Sequence, residues 1–166
     1  MKHISLFFLI FLALPLSAKL LILPAEAMQK NYGPEATISE ENLLLTNAQA
    51  QKIQQESKTK LSTNIVKVFK ATKNSTTLGY GILINEKVRS KNAVVLYVIS
   101  DESTLKSIEI VAFNEPMEYL PSKKWVLQLS STGDVPNTTG ATMSAKNIID
   151  GSKKALAIYK EMLKGK

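Results

Sequence analysis

The sequence predicts an α+β domain: an antiparallel β-meander covered by helices, with a long C-terminal amphipathic helix. Three observations lead there. The hydrophobic period changes from helical to alternating after about residue 60. Four runs rich in Val, Ile and Tyr then follow in series, separated by turn-like "KNST", "VRSK" and "DES". Past residue 144 the apolar residues fall on a single helical stripe.

Each element has its own local reason. Pro24 to Tyr32 reads as a short helix stopped by Gly33-Pro34. "ATISEENLLL" has β character, and "TNAQAQKIQQESK" opens with Thr46 and Gln49 at the spacing of a capping box, which predicts a second helix. The meander consists of "NIVKVFKAT", "TLGYGILINEK", "NAVVLYVIS" and "TLKSIEIVAFN". Val94, Leu96 and Val98 face opposite to Val95, Tyr97 and Ile99, so both faces are apolar and helices are expected on at least one. Gly79 and Gly81 mark a bulge, a close packing point or a place where a ligand approaches. A proline-punctuated stretch follows, with a short helix from Ser122 to Leu129. The last helix, about Ser144 to Lys164, sets Ile148, Ile149, Ala155, Leu156, Tyr159, Met162 and Leu163 opposite Lys146, Asp150, Lys153 and Lys160. The chain divides into residues 1–18 and a single domain over 19–166, its 19–60 part helical and its 61–166 part sheet plus C-terminal helix.

Residues 1–18 read as an export signal. Lys2 supplies the positive start, Ile4 to Leu14 the apolar stretch, and Pro15 the break before Ser17 and Ala18. Cleavage is expected after Ala18; Ala25-Glu26-Ala27 is a second small-x-small site, and an uncleaved anchor is the alternative. The protein is thus expected to be exported, periplasmic or peripheral on the outer side of the cytoplasmic membrane.

Composition removes several kinds of chemistry. There is no cysteine, and the only histidine, His3, lies in the signal. The remaining chain lacks the usual zinc, copper and haem ligands, so no metal site is expected. It also cannot form a Ser-His-Asp or Cys-His hydrolase. Lys2 is the only charged residue of 1–18, so the rest keeps 20 Lys and Arg against 14 Asp and Glu, a net +6. That excess can steer a chain towards anionic lipid, an acidic partner or nucleic acid, but the lysines read first as a solvated surface and second as a docking surface for a partner. The lysines are scattered, and nucleic acid is not an expected partner of an exported chain.

The densest chemical signal is "NTTGATMSAKNI" at the mouth of the last helix. Unpaired backbone N–H groups and the helix dipole favour an anion there. Gly140 permits a turn with φ > 0, and Thr138, Thr139, Thr142 and Ser144 add hydroxyls able to bond phosphate oxygens. No lysine follows in the Walker position and no second glycine completes a dinucleotide fingerprint. From local chemistry alone, simple capping by Thr142 or Ser144 is the commoner explanation of the same residues, because Ser and Thr are preferred at helix starts.

This segment, together with "GYGILI" and "AFNEPMEYLPSKKWVLQL" before it, resembles the FMN-binding domain family. That family includes the peripheral flavin subunits of the sodium-pumping NADH:quinone oxidoreductase and of the Rnf-type complex. The likeness spans roughly Asn64 to Leu163 and is sharpest over Thr139, Gly140, Ala141 and Thr142. The run Glu115 to Pro121 with the following Trp125 resembles a group of small exported members.

The resemblance implies one FMN held outside the cytoplasm, its phosphate at Thr138 to Ser144 with Ala141 and Met143 in the same corner. In the family a flavin transferase often joins FMN from FAD to the second threonine of the motif, here Thr142. The family motif has Asp three residues before the Ser/Thr, where this chain has Pro136; Asp134 lies two residues further upstream. Tyr119 and Trp125 are candidates to line the flavin ring, with core packing as the other reading of Trp125. Glu115 and Glu118 are candidates to position the flavin or its partner, or are surface and capping residues.

The expected function is electron transfer by an FMN-carrying protein to a membrane or periplasmic redox partner. On that reading the redox chemistry belongs to the cofactor and no side chain is catalytic. Two other readings stay open: a non-redox binding or docking module using the same anion site, and a flavin-dependent reductase of a small substrate.

Overall fold

The computed structural model describes residues 19–131 and 143–165. The elements run β1 (Lys19–Leu20), α1 (Pro24–Tyr32), β2 (Thr37–Leu44), α2 (Asn47–Ser57), β3 (Ile65–Lys73), β4 (Thr76–Lys87), β5 (Asn92–Ser100) and β6 (Leu105–Phe113). A 3₁₀ turn (Met117–Tyr119), α3 (Lys123–Ser131) and α4 (Met143–Ile158) follow, and α4 ends in a π-helical turn, Tyr159–Leu163. The fold is α+β, with one antiparallel sheet in the order β1-β6-β5-β4-β3-β2.

The four runs read from sequence are β3 to β6, and the 19–60 part, expected to be helical, adds a strand at each edge of the sheet. β2 lies against β3, with Thr37 opposite Thr72 and Leu44 opposite Ile65. β1 lies at the other edge, with Lys19 opposite Phe113. Local chemistry sets the links. Thr46 Oγ1 accepts the Gln49 N–H at 3.3 Å while Gln49 Oε1 accepts the Thr46 N–H at 2.9 Å, so the expected capping box starts α2. Asn74 and Ser75, with φ of 50° and 66°, form the two-residue β3–β4 link, whose left-handed pair matches the twist of a hairpin.

Both faces of the sheet are covered. On one, Ala27 and Met28 of α1 pack on Phe69, Ala71, Leu96, Val98 and Val111. On the other, α2, α3 and α4 close over Val68, Ile82, Val95, Tyr97, Ile99 and Ile108. The opposed sets Val94-Leu96-Val98 and Val95-Tyr97-Ile99 fall on the two faces as the alternation requires. Each fully buried aliphatic side chain contributes about 1.5–3 kcal/mol of transfer free energy, so filling both faces is what makes the central strands almost continuously apolar.

Gly79 and Gly81 are close packing points beneath α1. A Cβ at Gly79 would run into the Tyr32 hydroxyl and the Ile99 carbonyl oxygen, and one at Gly81 would lie 2.5 Å from Met28 Sδ. The Tyr32 hydroxyl uses that gap to donate to the Ile99 carbonyl at 3.0 Å. α4 is tied to α2 by Lys160–Glu56 at 2.7 Å and by Lys52–Glu161. These exposed pairs orient more than they stabilise.

The antiparallel register places Lys19, Leu44, Ile65, Lys87, Asn92 and Phe113 at one end of the sheet, where α4 begins. The turns at Asn74–Ser75 and Asp101–Thr104 lie at the opposite end, where α4 finishes and the Tyr159 hydroxyl donates to the Asp101 carbonyl.

Candidate functional site

The entry end of α4 is built around the β4–β5 turn, Val88 to Lys91. The Val88 N–H donates to the Lys91 carbonyl at 2.9 Å and closes the turn. Asn147, one turn into α4, donates its Nδ2 to the Val88 carbonyl at 2.9 Å and to the Met143 carbonyl at 3.0 Å. One side-chain amide thus fastens the first turn of the helix to the tip of the hairpin. Met143 is exposed there and Ser144 is buried. Thr138, Thr139, Gly140, Ala141 and Thr142, with Asp134 and Pro136, lie outside the described residues.

Glu115 reaches the same turn from the end of β6. Its Oε1 accepts the backbone N–H groups of Lys91 at 2.8 Å, Ser90 at 2.5 Å and Arg89 at 3.2 Å, and the Ser90 hydroxyl adds a further donor. The Lys91 and Ser90 amides, in that order, hold the Glu115 carboxyl below the usual carboxylate range, outweighing the raising effect of burial. Tyr119 also belongs to this turn, for the Arg89 guanidinium lies over its ring at 3.9 Å from the centroid. Glu115 and Tyr119 therefore meet the start of α4 through one four-residue turn. Trp125 sits on α3, partly buried against the main core, and nothing joins it to that turn. Its N–H is 3.3 Å from the Ser122 hydroxyl that caps α3.

The tie at Glu115 has a testable pH signature. A carboxyl whose folded pKa is depressed adds stability in full above the unfolded pKa and loses it as pH falls through the folded value. Glu115→Gln is therefore expected to melt below the wild type near neutral pH, and the gap is expected to close below about pH 4, the ordinary carboxylate range. Thermal unfolding of both proteins across this range measures it. A gap that stays constant into acid would mean that shape rather than charge holds the turn.

Beside the turn lies a cavity of about 440 Å³ lined by Lys19, Lys91, Asn92, Phe113, Asn114, Glu115, Pro116 and Met117. The Asn114 Oδ1 atom is buried with no hydrogen-bond partner among the described residues. An unpaired buried acceptor costs about 1–3 kcal/mol, so it marks a place suited to an incoming N–H. A larger cavity, about 720 Å³, lies between the Lys60–Thr63 loop, β3, β4 and α4, and includes Lys154 and Glu86. Lys154 is eleven residues past Met143, roughly 16 Å along the helix, but the same space reaches Ile65, Lys87 and Asn92 at the helix-mouth end, and Asn92 lines both cavities. Burial pushes the Lys154 ammonium down to about 8 while its contact with the Glu86 carboxylate opposes that fall.

Sequence reasoning missed Asn147, Arg89, Asn114 and Lys154. Asn147 lies in the quoted segment, but its amide gains meaning only from Val88, 59 residues away. Among the described residues no group of three or more His, Asp and Glu side chains is arranged to hold a metal ion, and no helix is long and apolar enough to cross a membrane. Comparison with protein-family models, with curated proteins and with solved structures found no match to this chain. The family likeness accordingly rests on the residues quoted for it.

Proposed function

We propose that the protein is an exported FMN-binding flavoprotein that carries electrons to a membrane or periplasmic redox partner. The observation that carries this reading is the convergence at the β4–β5 turn. The first turn of α4, Glu115 and Tyr119 all fasten to Val88–Lys91, beside a cavity of about 440 Å³ that contains an Asn114 oxygen unpartnered among the described residues. The residues present suit the group. The helix start and the threonines of Thr138 to Ser144 would take the phosphate dianion. The cavity would take the planar ring. Lys19 and Lys91 beside it favour a ligand of negative charge.

When bound, FMN supplies one- and two-electron redox chemistry. The chain's own part is to bind, orient and partly shield it. Glu115 fixes the turn through three backbone amides, so its carboxylate acts on a ligand by holding the amides and side chains around it. Arg89, stacked on Tyr119, ties the segment after β6 to the turn beside the cavity.

Absorbance and flavin content of protein secreted from cells that also express a flavin transferase test the proposal. One FMN per chain is expected, with the yellow colour retained through gel filtration. Colourless protein, or protein that yields only FAD or riboflavin, would favour the non-redox binding module. Steady turnover of a soluble reductant and acceptor would favour the reductase.

A further inference from the structure

Exposed large apolar side chains are not spread evenly over the molecule. Leu20, Leu44, Ile65, Met117, Tyr119 and Met143 are all exposed, Leu44 at 75% and Ile65 at 57%. The register puts each of them at the α4-entry end. Leu20 is in β1 beside Ala112, Leu44 and Ile65 are paired where β2 ends and β3 begins, and Met117 and Tyr119 follow β6. Met143 is fastened to Val88 through Asn147. They extend across the six-strand sheet, about 24 Å at the usual strand spacing. The opposite end presents Asn74, Ser75, Asp101, Glu102 and Ser103 in its turns, and none of the exposed large apolar residues among those described. Leu21 and Leu23 after β1 and Leu127 on α3 are the other exposed large apolar residues among those described. Single exposed leucines need no explanation, but six gathered at one end do.

Both ends carry basic residues, but at the opposite end Lys73 pairs with Glu35, and Lys106 follows a turn that contains Asp101 and Glu102. Lys19, Lys87, Arg89 and Lys91 lie at the α4-entry end, three of them within five residues of the β4–β5 hairpin. The acids nearby are spoken for, since Glu115 accepts the turn amides and Glu86 contacts Lys154; Glu118 remains exposed.

We propose that the α4-entry end of the sheet is a membrane-docking face that rests on an anionic lipid bilayer. Leu44, Ile65 and Met117 enter the headgroup region, and Lys19, Lys87 and Arg89 meet the lipid phosphates. A patch of this mixed character binds through apolar burial plus attraction to anionic lipid. The inference stands on exposure, register and charge; Lys19 and Met117 also line the cavity proposed for FMN, so the face is tested on flavin-free protein.

The absence of cysteine makes the test direct. Leu44→Cys, Ile65→Cys, Met117→Cys and, at the far end, Glu102→Cys are labelled one at a time with nitrobenzoxadiazole, in flavin-free protein as it is secreted. Each is mixed with vesicles of equal phosphatidylglycerol and phosphatidylcholine, and with phosphatidylcholine alone. Enhanced, blue-shifted emission, quenched by brominated lipid, is expected at the first three positions with anionic vesicles, and no change at Glu102→Cys. Adding Lys87→Gln or Arg89→Gln is expected to weaken vesicle binding roughly fivefold per charge. No response to vesicles, or an equal response at Glu102→Cys, would overturn the proposal. So would a change that depends on protein concentration without lipid, which would assign the face to a second copy of the chain. Because flavin is absent throughout, these outcomes are separate from those of the flavin-content measurement.

Discussion

Gly151→Ala is expected to lower the unfolding free energy by roughly 2–4 kcal/mol, the range of severe overpacking. On helix propensity alone the change would stabilise an interior helical position by about 1 kcal/mol. The site reverses the sign. Gly151 lies on α4 directly over Tyr97, and an alanine Cβ would meet the tyrosine hydroxyl and sit 2.6 Å from Cζ. The ring has no room to retreat, being 1% exposed, and its hydroxyl donates to the Ile148 carbonyl at 3.1 Å. The same carbonyl accepts the Ser152 hydroxyl at 3.0 Å, so the contact is a fixed point between the last helix and the centre of the sheet. Burial and the charge of Asp150 keep the Tyr97 phenol well above its usual pKa, so it remains a donor throughout the physiological range. Thermal denaturation should show a midpoint lowered by on the order of 10 °C. A double-mutant cycle with Tyr97→Leu, which removes the ring, should recover about 1–3 kcal/mol of coupling. Strict additivity of the two changes would show that Gly151 matters for some reason other than Tyr97.

Thr142→Val is expected to abolish protein-bound flavin fluorescence in a denaturing gel, while Thr138→Val leaves it intact. The prediction rests on the proposed FMN site and on the family's choice of the second threonine. Valine keeps the β-branched shape and removes the hydroxyl, so helix entry is preserved and only attachment is lost. Retention is the physical use of such a bond, because an exported protein that loses FMN has no cytoplasmic supply to replace it. Pro136→Asp, which supplies the residue found there in the FMN-binding family that the segment resembles, is expected to raise the flavin-labelled fraction. A yellow wild-type protein whose flavin is wholly released by acid precipitation would refute the covalent bond and leave the binding proposal standing. No flavin under any condition would remove both.

Much of this molecule was legible because its signals are local. The Thr46–Gln49 box needs three residues of separation, and it starts α2 where spacing says. β3 to β6 announce themselves by alternation, and their doubly apolar pattern foretold cover on the sheet. β1 is different: Lys19 and Leu20 are too few to show a period, so their pairing with β6 left no trace. β2 has exposed residues at most of its positions and read only as β-like; its place at the edge follows from its partner β3. The site divides in the same manner. The threonine-rich helix mouth is visible as composition. The union of Glu115, Tyr119 and α4 at one turn depends on a hairpin 25 residues upstream of Glu115 and on Asn147 reaching it.

The amino-acid sequence by itself determined the α+β class, the four-strand meander, the capped α2, the amphipathic last helix and the absence of cysteine and histidine from the domain. Periodicity, caps and composition are properties of neighbours along the chain, which is why they can be read without coordinates. Only the tertiary structure decided that α1 needs Gly79 and Gly81 beneath it and that Tyr97 needs Gly151. It alone showed that Lys154 is buried against Glu86, and that exposed apolar residues gather beside basic ones where α4 begins. Those facts depend on groups brought together from dozens of residues apart, and the free energy of each contact exists only after the sheet and helices have packed.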